Sequence, residues 1–313
     1  MERLLITGVL GCIGAWIARV ALDEGHTVIG VDVSGERHRL QRLGVDGRFA
    51  LEDVDVRDRS GLEELVRQRR PTAIVHLAAL QIPSCRANPF RCAEVNVGGM
   101  GNVLELARKF GLPLVYASSA AVYGPGPSGP LAEDEGINPH SLYGVFKRTN
   151  EDMARLYAHE YGVTCAGLRP WVVYGPGRDA GMTGDITLAL WHAMRGEPYR
   201  IRFSGTVDLQ YAEDVARAFV TAALNPKPGA RVYNLRGEVA SVDDAIKTIE
   251  RLTGTKGLIS YEPTPIPIAA DLSDARFQED FGPFPFRSFE EGLRETLRIW
   301  RDNPGSDERP KVL

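Results

Sequence analysis

The stretch Thr7-Gly8-Val9-Leu10-Gly11-Cys12-Ile13-Gly14 decides the fold. It follows a short apolar run at residues 4–6 and leads into residues 13–22, whose apolar side chains recur at three- and four-residue spacing. The glycines therefore stand between a strand and a helix, where their spacing has a mechanical meaning. They let the backbone turn tightly and approach a pyrophosphate, which the first free N–H groups of the helix attract. By itself such a loop predicts only a strand-to-helix turn. Asp32, however, ends the next β-rich run (27–31), 18 residues after Gly14, where a carboxylate accepts hydrogen bonds from the ribose hydroxyls of a dinucleotide. Gly8, Gly11, Cys12, Ile13, Gly14 and Asp32 are thus the expected cofactor contacts. Asp32 would repel a 2'-phosphate, which favours NAD over NADP, although Arg37 and Arg39 lie just beyond it. Asp55-Val56, after the presumed third strand, is a further candidate for the adenine edge.

Outward from this loop, buried-strand runs at 73–76 and 114–117 alternate with helical periods at 62–69 and 99–109. Strand and helix in alternation predict an α/β doubly wound parallel sheet, a Rossmann fold. A helix is expected at 142–161 and a strand at 164–168; the texture then turns rich in Pro and Gly. Residues 214–224 read as a helix and 230–235 as a strand that could rejoin the sheet, with helices at 242–252 and 289–301. The expected division is an NAD-binding domain at 1–170, rejoined by 208–235, and a smaller substrate-binding lobe at 171–207 and 236–313. The polar tail from Pro304 is expected to be mobile.

The composition suits an ordinary globular protein: 313 residues, 43% hydrophobic and 25% charged, with a formal net charge of -4. No basic run exceeds Arg67-Gln-Arg-Arg70, so neither nucleic acid nor a membrane surface is an expected partner. Cys12, Cys85, Cys92 and Cys165 show no Cys-x-x-Cys spacing and no paired histidines. That argues against a metal site or a disulfide framework, and reduced thiols in a cytoplasmic protein are the simpler expectation. The chain enters a strand at once and has no apolar run of spanning length, which agrees with a cytoplasmic location.

The chemistry is expected from Tyr143 and Lys147, one helical turn apart in Ser141-Leu-Tyr-Gly-Val-Phe-Lys147 and so on one helix face. A free phenol titrates at about 10, too high for a base at neutral pH. A nearby ammonium favours phenolate and brings it toward the working range.

These pieces, in this order, resemble the extended short-chain dehydrogenase/reductase family, in its nucleotide-sugar epimerase and dehydratase branch. The resemblance is carried by Thr7-Gly-x-x-Gly-x-x-Gly14, Asp32, Asp55-Val56, His76-Leu-Ala-Ala79, Asn96-Val-x-Gly98-Gly99, Ser118-Ser-Ala-Ala-Val-Tyr-Gly124, Tyr143-x-x-x-Lys147 and Arg169-Pro170. It implies that Ser119 hydrogen-bonds the substrate oxygen, that Tyr143 transfers its proton and that Lys147 also holds the nicotinamide ribose. It implies that Asn96 supports the site and that Leu77, Ala78, Ala79, Ser118 and Pro170 complete the NAD contacts. The substrate, a small hydroxylated molecule, would meet Leu80, Ser119, Ala120, Trp171 and Arg178. His76 is read as a packed strand residue. A homodimer through the helices near 99–109 and 142–161 is implied by the same resemblance.

The departures narrow the function. Where the family's dehydratases carry an Asp-Glu pair after the catalytic serine, this chain has Ala120 and Ala121, and alanine cannot move a proton. Dehydration and glutamate-assisted decarboxylation are excluded. Where nucleotide-sugar enzymes place an arginine that clamps the diphosphate, this chain reads Val207-Asp208. A diphosphate without its bidentate partner is poorly compensated, whereas Arg178, Arg200 and Arg202 are candidates for a smaller anion. The first expectation is therefore an NAD-dependent dehydrogenase of a sugar, polyol or sugar acid that is not nucleotide-linked. The alternative is an NDP-sugar 4-epimerase with retained NAD; a non-catalytic NAD-binding regulatory protein is a third reading.

Overall fold

The computed structural model describes residues 1–126 and 129–302; the tail from Pro304 lies outside the described residues. Its first half runs β1 (Arg3–Thr7), α1 (Cys12–Asp23), β2 (Thr27–Asp32), α2 (His38–Arg42), β3 (Ala50–Asp53), α3 (Arg59–Arg69) and β4 (Ala73–His76). Two short helices, α4 (Ile82–Ala87) and α5 (Pro89–Ala93), and a π-helical turn at Glu94–Gly98 lead into α6 (Gly99–Phe110) and β5 (Leu114–Ala117). Then come α7 (Leu142–Tyr161), β6 (Cys165–Arg169), β7 (Val172–Tyr174), α8 (Asp185–Met194), β8 (Tyr199–Ile201), β9 (Thr206–Tyr211) and α9 (Ala212–Leu224). The chain closes with β10 (Ala230–Asn234), β11 (Glu238–Ser241), α10 (Val242–Thr253), β12 (Ile259–Tyr261), α11 (Ala275–Phe281) and α12 (Phe289–Asp302).

Seven strands form one parallel sheet in the order β10-β6-β5-β4-β1-β2-β3, with Leu5 of β1 opposite Ile29 of β2 and Ile74 of β4. Leu4, Leu5 and Ile6 have no exposed surface, because helices cover both faces. Trp16, Ile17 and Phe219 pack on one face; Leu62, Val103 and Ala154 pack on the other. The chain winds outward from β1 to β3, returns to β4 beside β1, and winds outward again. That reversal opens a crevice at the carboxyl ends of β1 and β4, the place where such sheets bind ligands.

A second core lies beyond β6. Strands β7, β9 and β11 form a small sheet, β8 pairs with β12, and Trp191, Phe203, Leu209, Ile249 and Leu293 fill the space between them and α8, α10 and α12. The chain returns to the main sheet through α9, which packs on α1, and β10, which pairs with β6. Residues 208–211 lie in the small sheet, so the return begins at α9.

One expectation is corrected. Cys85 and Cys92 form a disulfide, with Cα atoms 5.0 Å apart. Their spacing carries no motif, but the helix break at Asn88-Pro89 folds α5 back on α4 and brings the two side chains together. Cys12 and Cys165 are free and buried. Among the described residues no helix is long and apolar enough to cross a membrane.

Candidate active site

Helix α7 starts where Ser141 caps it, its hydroxyl accepting from Gly144 N at 3.1 Å, and this fixes Tyr143 in the first turn. Tyr143 is 8% exposed and packs with the Cys85–Cys92 pair, Ala121 and Phe146. Burial pushes its phenol above the usual range, while the Ser119 hydroxyl, the charge of Arg178 and the Gln81 side chain pull it back toward ionisation. Lys147 lies one turn further, with Nζ donating to the Ala117 carbonyl at 2.5 Å and standing 5.5 Å from the Tyr143 ring centroid. Burial lowers Lys147 to about 8, with Glu151 opposing. Beside Lys147, the charge of Arg178, on the loop after β7, also favours ionisation of the phenol. Ser119 caps the short turn Ala120–Val122, its oxygen accepting from Ala121 N at 3.1 Å.

Behind this pair lies a buried polar chain. The Glu151 carboxylate takes both arms of Arg169, at 2.7 and 2.8 Å, and accepts from the Ser118 hydroxyl at 2.5 Å. Arg169 continues to the Tyr123 oxygen at 2.5 Å, and Tyr123 donates to Asn234 at 2.7 Å. Ser118, expected against the cofactor, thus has its hydroxyl engaged beneath the site. Asn96 brackets Leu80, accepting from its N–H at 2.8 Å and donating to its carbonyl at 3.0 Å, while Asn150 holds the Asn96 carbonyl at 2.9 Å. Leu77, Ala78, Ala79 and Leu80 are half-buried after β4. His76 pairs with the Thr7 hydroxyl at 2.7 Å, and burial pushes it down to about 3, so it remains a neutral strand residue.

The glycine loop fits a dinucleotide. Gly8 is left-handed (φ +73), and a Cβ there would stand 2.7 Å from Ala78 N; a Cβ on Gly14 would strike the Gly8 carbonyl. Among the described residues no side chain caps α1, which leaves its first N–H groups facing the loop where a pyrophosphate would lie. Cys12 is buried, its thiol pushed up to about 11 by burial, and Ile13 is half-buried beside it. Asp32 accepts from Leu10 N at 2.9 Å and from Val33 N and Ser34 N at 2.9 and 3.0 Å, which pins its carboxylate at the end of β2. The two nearby arginines are engaged elsewhere: Arg37 with Asp46, and Arg39 with Asp179, Gly177 and Leu10. Asp55 is tied to Arg57, and Val56 packs under Gly99.

Residues 175–179 strap the second core onto this loop. The Trp16 indole donates to the Pro176 carbonyl at 2.8 Å, and Asp179 takes Arg39 at 2.5 Å and His38 at 2.9 Å. Burial opposes the charge on Asp179, but Arg39 and His38 outweigh it and hold the carboxyl below its usual range. Pro170 accepts from Ala120 N at 3.0 Å, closing β5 against β6. Trp171 is 8% exposed in the second core, its indole donating to the Ala269 carbonyl at 2.8 Å. Val207 is fully buried in the second core. Arg202 is locked on Asp185 at 2.6 Å, and exposed Arg200 lies 3.9 Å from Glu262. Arg178 donates through Nη2 to Thr183 at 2.8 Å, and its buried Nε has no partner among the described residues.

Gln81, Glu151, Trp16 and Asp179 are site or supporting residues that the sequence reading missed. Glu151 had a signal, a carboxylate one turn after Lys147 on the same buried face; the other three depend on tertiary approach.

The model of the NAD dependent epimerase/dehydratase family matches residues 4–235. A UDP-glucuronate 4-epimerase of Thermodesulfobacterium geofontis is 30% identical over 321 residues, covering 97% of this chain and 97% of that protein. A UDP-glucose 4-epimerase of Mycolicibacterium smegmatis is 30% identical over 314 residues, covering 96% and 99%. Among solved structures, UDP-glucose 4-epimerase from Thermotoga maritima with UDP-glucose superposes with a TM-score of 0.86 at 28% identity, over 96% of this chain and 99% of that one. The Thermus thermophilus UDP-glucose 4-epimerase complex with NAD gives 0.82 at 28%, with the same coverage. This chain therefore belongs to the NAD-dependent epimerase/dehydratase family and is an NAD-dependent enzyme of the short-chain dehydrogenase/reductase type.

Proposed function

We propose that the chain is a 4-epimerase of a nucleotide-linked sugar that keeps its NAD through the cycle. The observation that carries the reading is the meeting of Ser119 and Tyr143 at the crevice, with Lys147 one turn below, and with Ala120 and Ala121 where a second acid or base would stand. Tyr143 takes the hydroxyl proton as the carbinol is oxidised and returns it when the carbonyl is reduced. Ser119 aligns the reacting oxygen, and Lys147 is the residue placed to hold the nicotinamide ribose. NAD, held by the glycine loop and Asp32, supplies the hydride acceptor and donor when bound. With alanines in place of a second proton carrier beside Ser119, the chemistry is limited to one carbon, oxidised and then reduced on its other face.

Retention of NAD is supported by the strap. Trp16, His38 and Arg39 tie residues 176–179 to the helices beside the glycine loop that would hold the cofactor. The names of the relatives, UDP-glucuronate and UDP-glucose 4-epimerases, favour this reading over the dehydrogenase of a free sugar or sugar acid expected first. One observation still favours that second reading: Val207, buried in the second core, stands where the phosphate-clamping arginine was expected. Two measurements decide between them: the NAD content of the purified protein and the fate of UDP-sugars. NAD that co-purifies, with interconversion of C4 epimers and no net NADH, supports the epimerase. Net NADH from free sugar acids or polyols, with UDP-sugars inert, sinks it.

A further inference from the structure

We propose that Ser118 is a positioning residue for the reaction: its hydroxyl, bound to Glu151, ties the segment that carries Ser119 to the helix that carries Tyr143 and Lys147. The tie sets the approach of Ser119 to Tyr143, and the assignment rests on the reading of these two as the groups that meet the reacting oxygen. Strand β5 is paired with β6 as far as Ala117, opposite Leu168, and with β4 only as far as Tyr116. The next backbone bond toward β6 comes at Ala120, whose N–H donates to the Pro170 carbonyl at 3.0 Å. Ser118 and Ser119 therefore bridge a gap in the ladder, and side chains of α7 hold the backbone on the approach to it. Lys147 Nζ donates to the Ala117 carbonyl at 2.5 Å, and the Glu151 carboxylate accepts from the Ser118 hydroxyl at 2.5 Å. Tyr143, Lys147 and Glu151 stand at four-residue spacing on one buried face of α7. Consecutive residues of the strand end are thus pinned to consecutive turns of the helix, and Ser119 follows directly.

The anchor is itself fixed. Glu151 is 4% exposed and takes Nε and Nη2 of Arg169 at 2.7 and 2.8 Å. Arg169 ends β6, so the carboxylate is referenced to the sheet as well as to α7. A hydroxyl bound to a carboxylate makes one of the stronger hydrogen bonds, and Ser118, 2% exposed, gives water little room to replace it. The hydroxyl carries one proton, and that proton is directed at Glu151, which leaves no donor for a cofactor. Removing the hydroxyl keeps the Arg169–Glu151 pair whole and releases only the tie. A reacting group displaced by about 1 Å costs about a hundredfold in rate, so the tie is read in turnover.

The test compares kcat, KM and NAD content of Ser118→Ala, Ser118→Thr and Tyr143→Phe with those of the parent. Turnover is read as conversion of UDP-glucuronate or UDP-glucose to its C4 epimer, or as NADH formed from free glucuronate with NAD supplied, whichever the parent carries out. Crystal structures of the parent and of Ser118→Ala add a readout that needs no turnover. Ser118→Ala should lower kcat by about tenfold to a hundredfold and shift Ser119 relative to Tyr143, with KM and NAD content within about twofold of the parent. Ser118→Thr keeps the hydroxyl and should recover most of kcat. Ser119 unmoved in Ser118→Ala, kcat within about twofold of the parent, or a loss as large in Ser118→Thr, overturns the assignment. Loss of NAD in Ser118→Ala, with kcat restored by added NAD, gives the hydroxyl to the cofactor and overturns it too. If Tyr143→Phe turns over like the parent, the pairing of Ser119 with Tyr143 fails and the assignment falls with it. If Tyr143→Phe is inactive while Ser118→Ala is unaffected, the pairing stands and only the assignment fails.

Discussion

The two walls of the crevice differ in how their charges are held. On the sheet wall the charged groups are matched inside the protein: Lys147 on the Ala117 carbonyl and Glu151 on Arg169 and Ser118 beneath Tyr143, and Asp32 on three backbone N–H groups at the end of β2. On the wall built by the loop after β7, Arg178 keeps a buried donor without a partner among the described residues. A wall that must hold a proton-transfer group in one place satisfies its polar atoms, because a misplaced reacting group loses most of the rate.

The largest effect is expected on the matched wall. Tyr143→Phe removes the proton carrier and leaves the glycine loop intact; turnover should fall by about a thousandfold or more while NAD content is unchanged. Retained activity would remove the proposed mechanism. Glu151→Ala tests the same wall through its buried chain: Arg169, 1% exposed, would be left as an uncompensated buried charge. A loss of about 3–5 kcal/mol in urea unfolding is expected, and a loss below about 1 kcal/mol would mean that the buried chain is dispensable.

Arg178→Gln probes the opposite wall through pH. The cation favours the phenolate of Tyr143, so its removal raises the phenol's pKa and leaves less base at a given pH. The acid limb of kcat/KM should therefore move to higher pH; an unmoved limb would separate Arg178 from Tyr143 electrostatically. The smallest effect is expected at the strap. Trp16→Phe keeps the aromatic packing and loses one hydrogen bond to Pro176, worth about 1 kcal/mol, so NAD release should quicken by about fivefold in stopped-flow fluorescence.

The sheet wall was largely legible in the sequence. The glycine loop, Asp32 and the Tyr143–Lys147 spacing are local patterns, and local patterns predict strand ends and helix faces. Glu151 was within reach of the same reasoning, one turn beyond Lys147. On the opposite wall Arg178 was named from the sequence, but how Arg178, Arg200 and Arg202 are engaged was not legible, because that depends on which of them meets a carboxylate across the fold. Arg202 meets Asp185, whereas Arg178 meets the Thr183 hydroxyl. The disulfide was hidden for a related reason: its two cysteines are joined by a helix break at Pro89 and not by a spacing motif.

The central claim is that the hydride taken from the substrate is given back to it by an NAD that does not leave. It is tested most directly by incubating the purified protein, without added NAD, with UDP-glucuronate or UDP-glucose, while NADH absorbance and sugar configuration are followed together. Conversion of at least one of them to its C4 epimer, with no accumulation of NADH, is the predicted result. Unchanged sugars in this assay, with NADH forming from a free sugar acid once NAD is supplied, would contradict it.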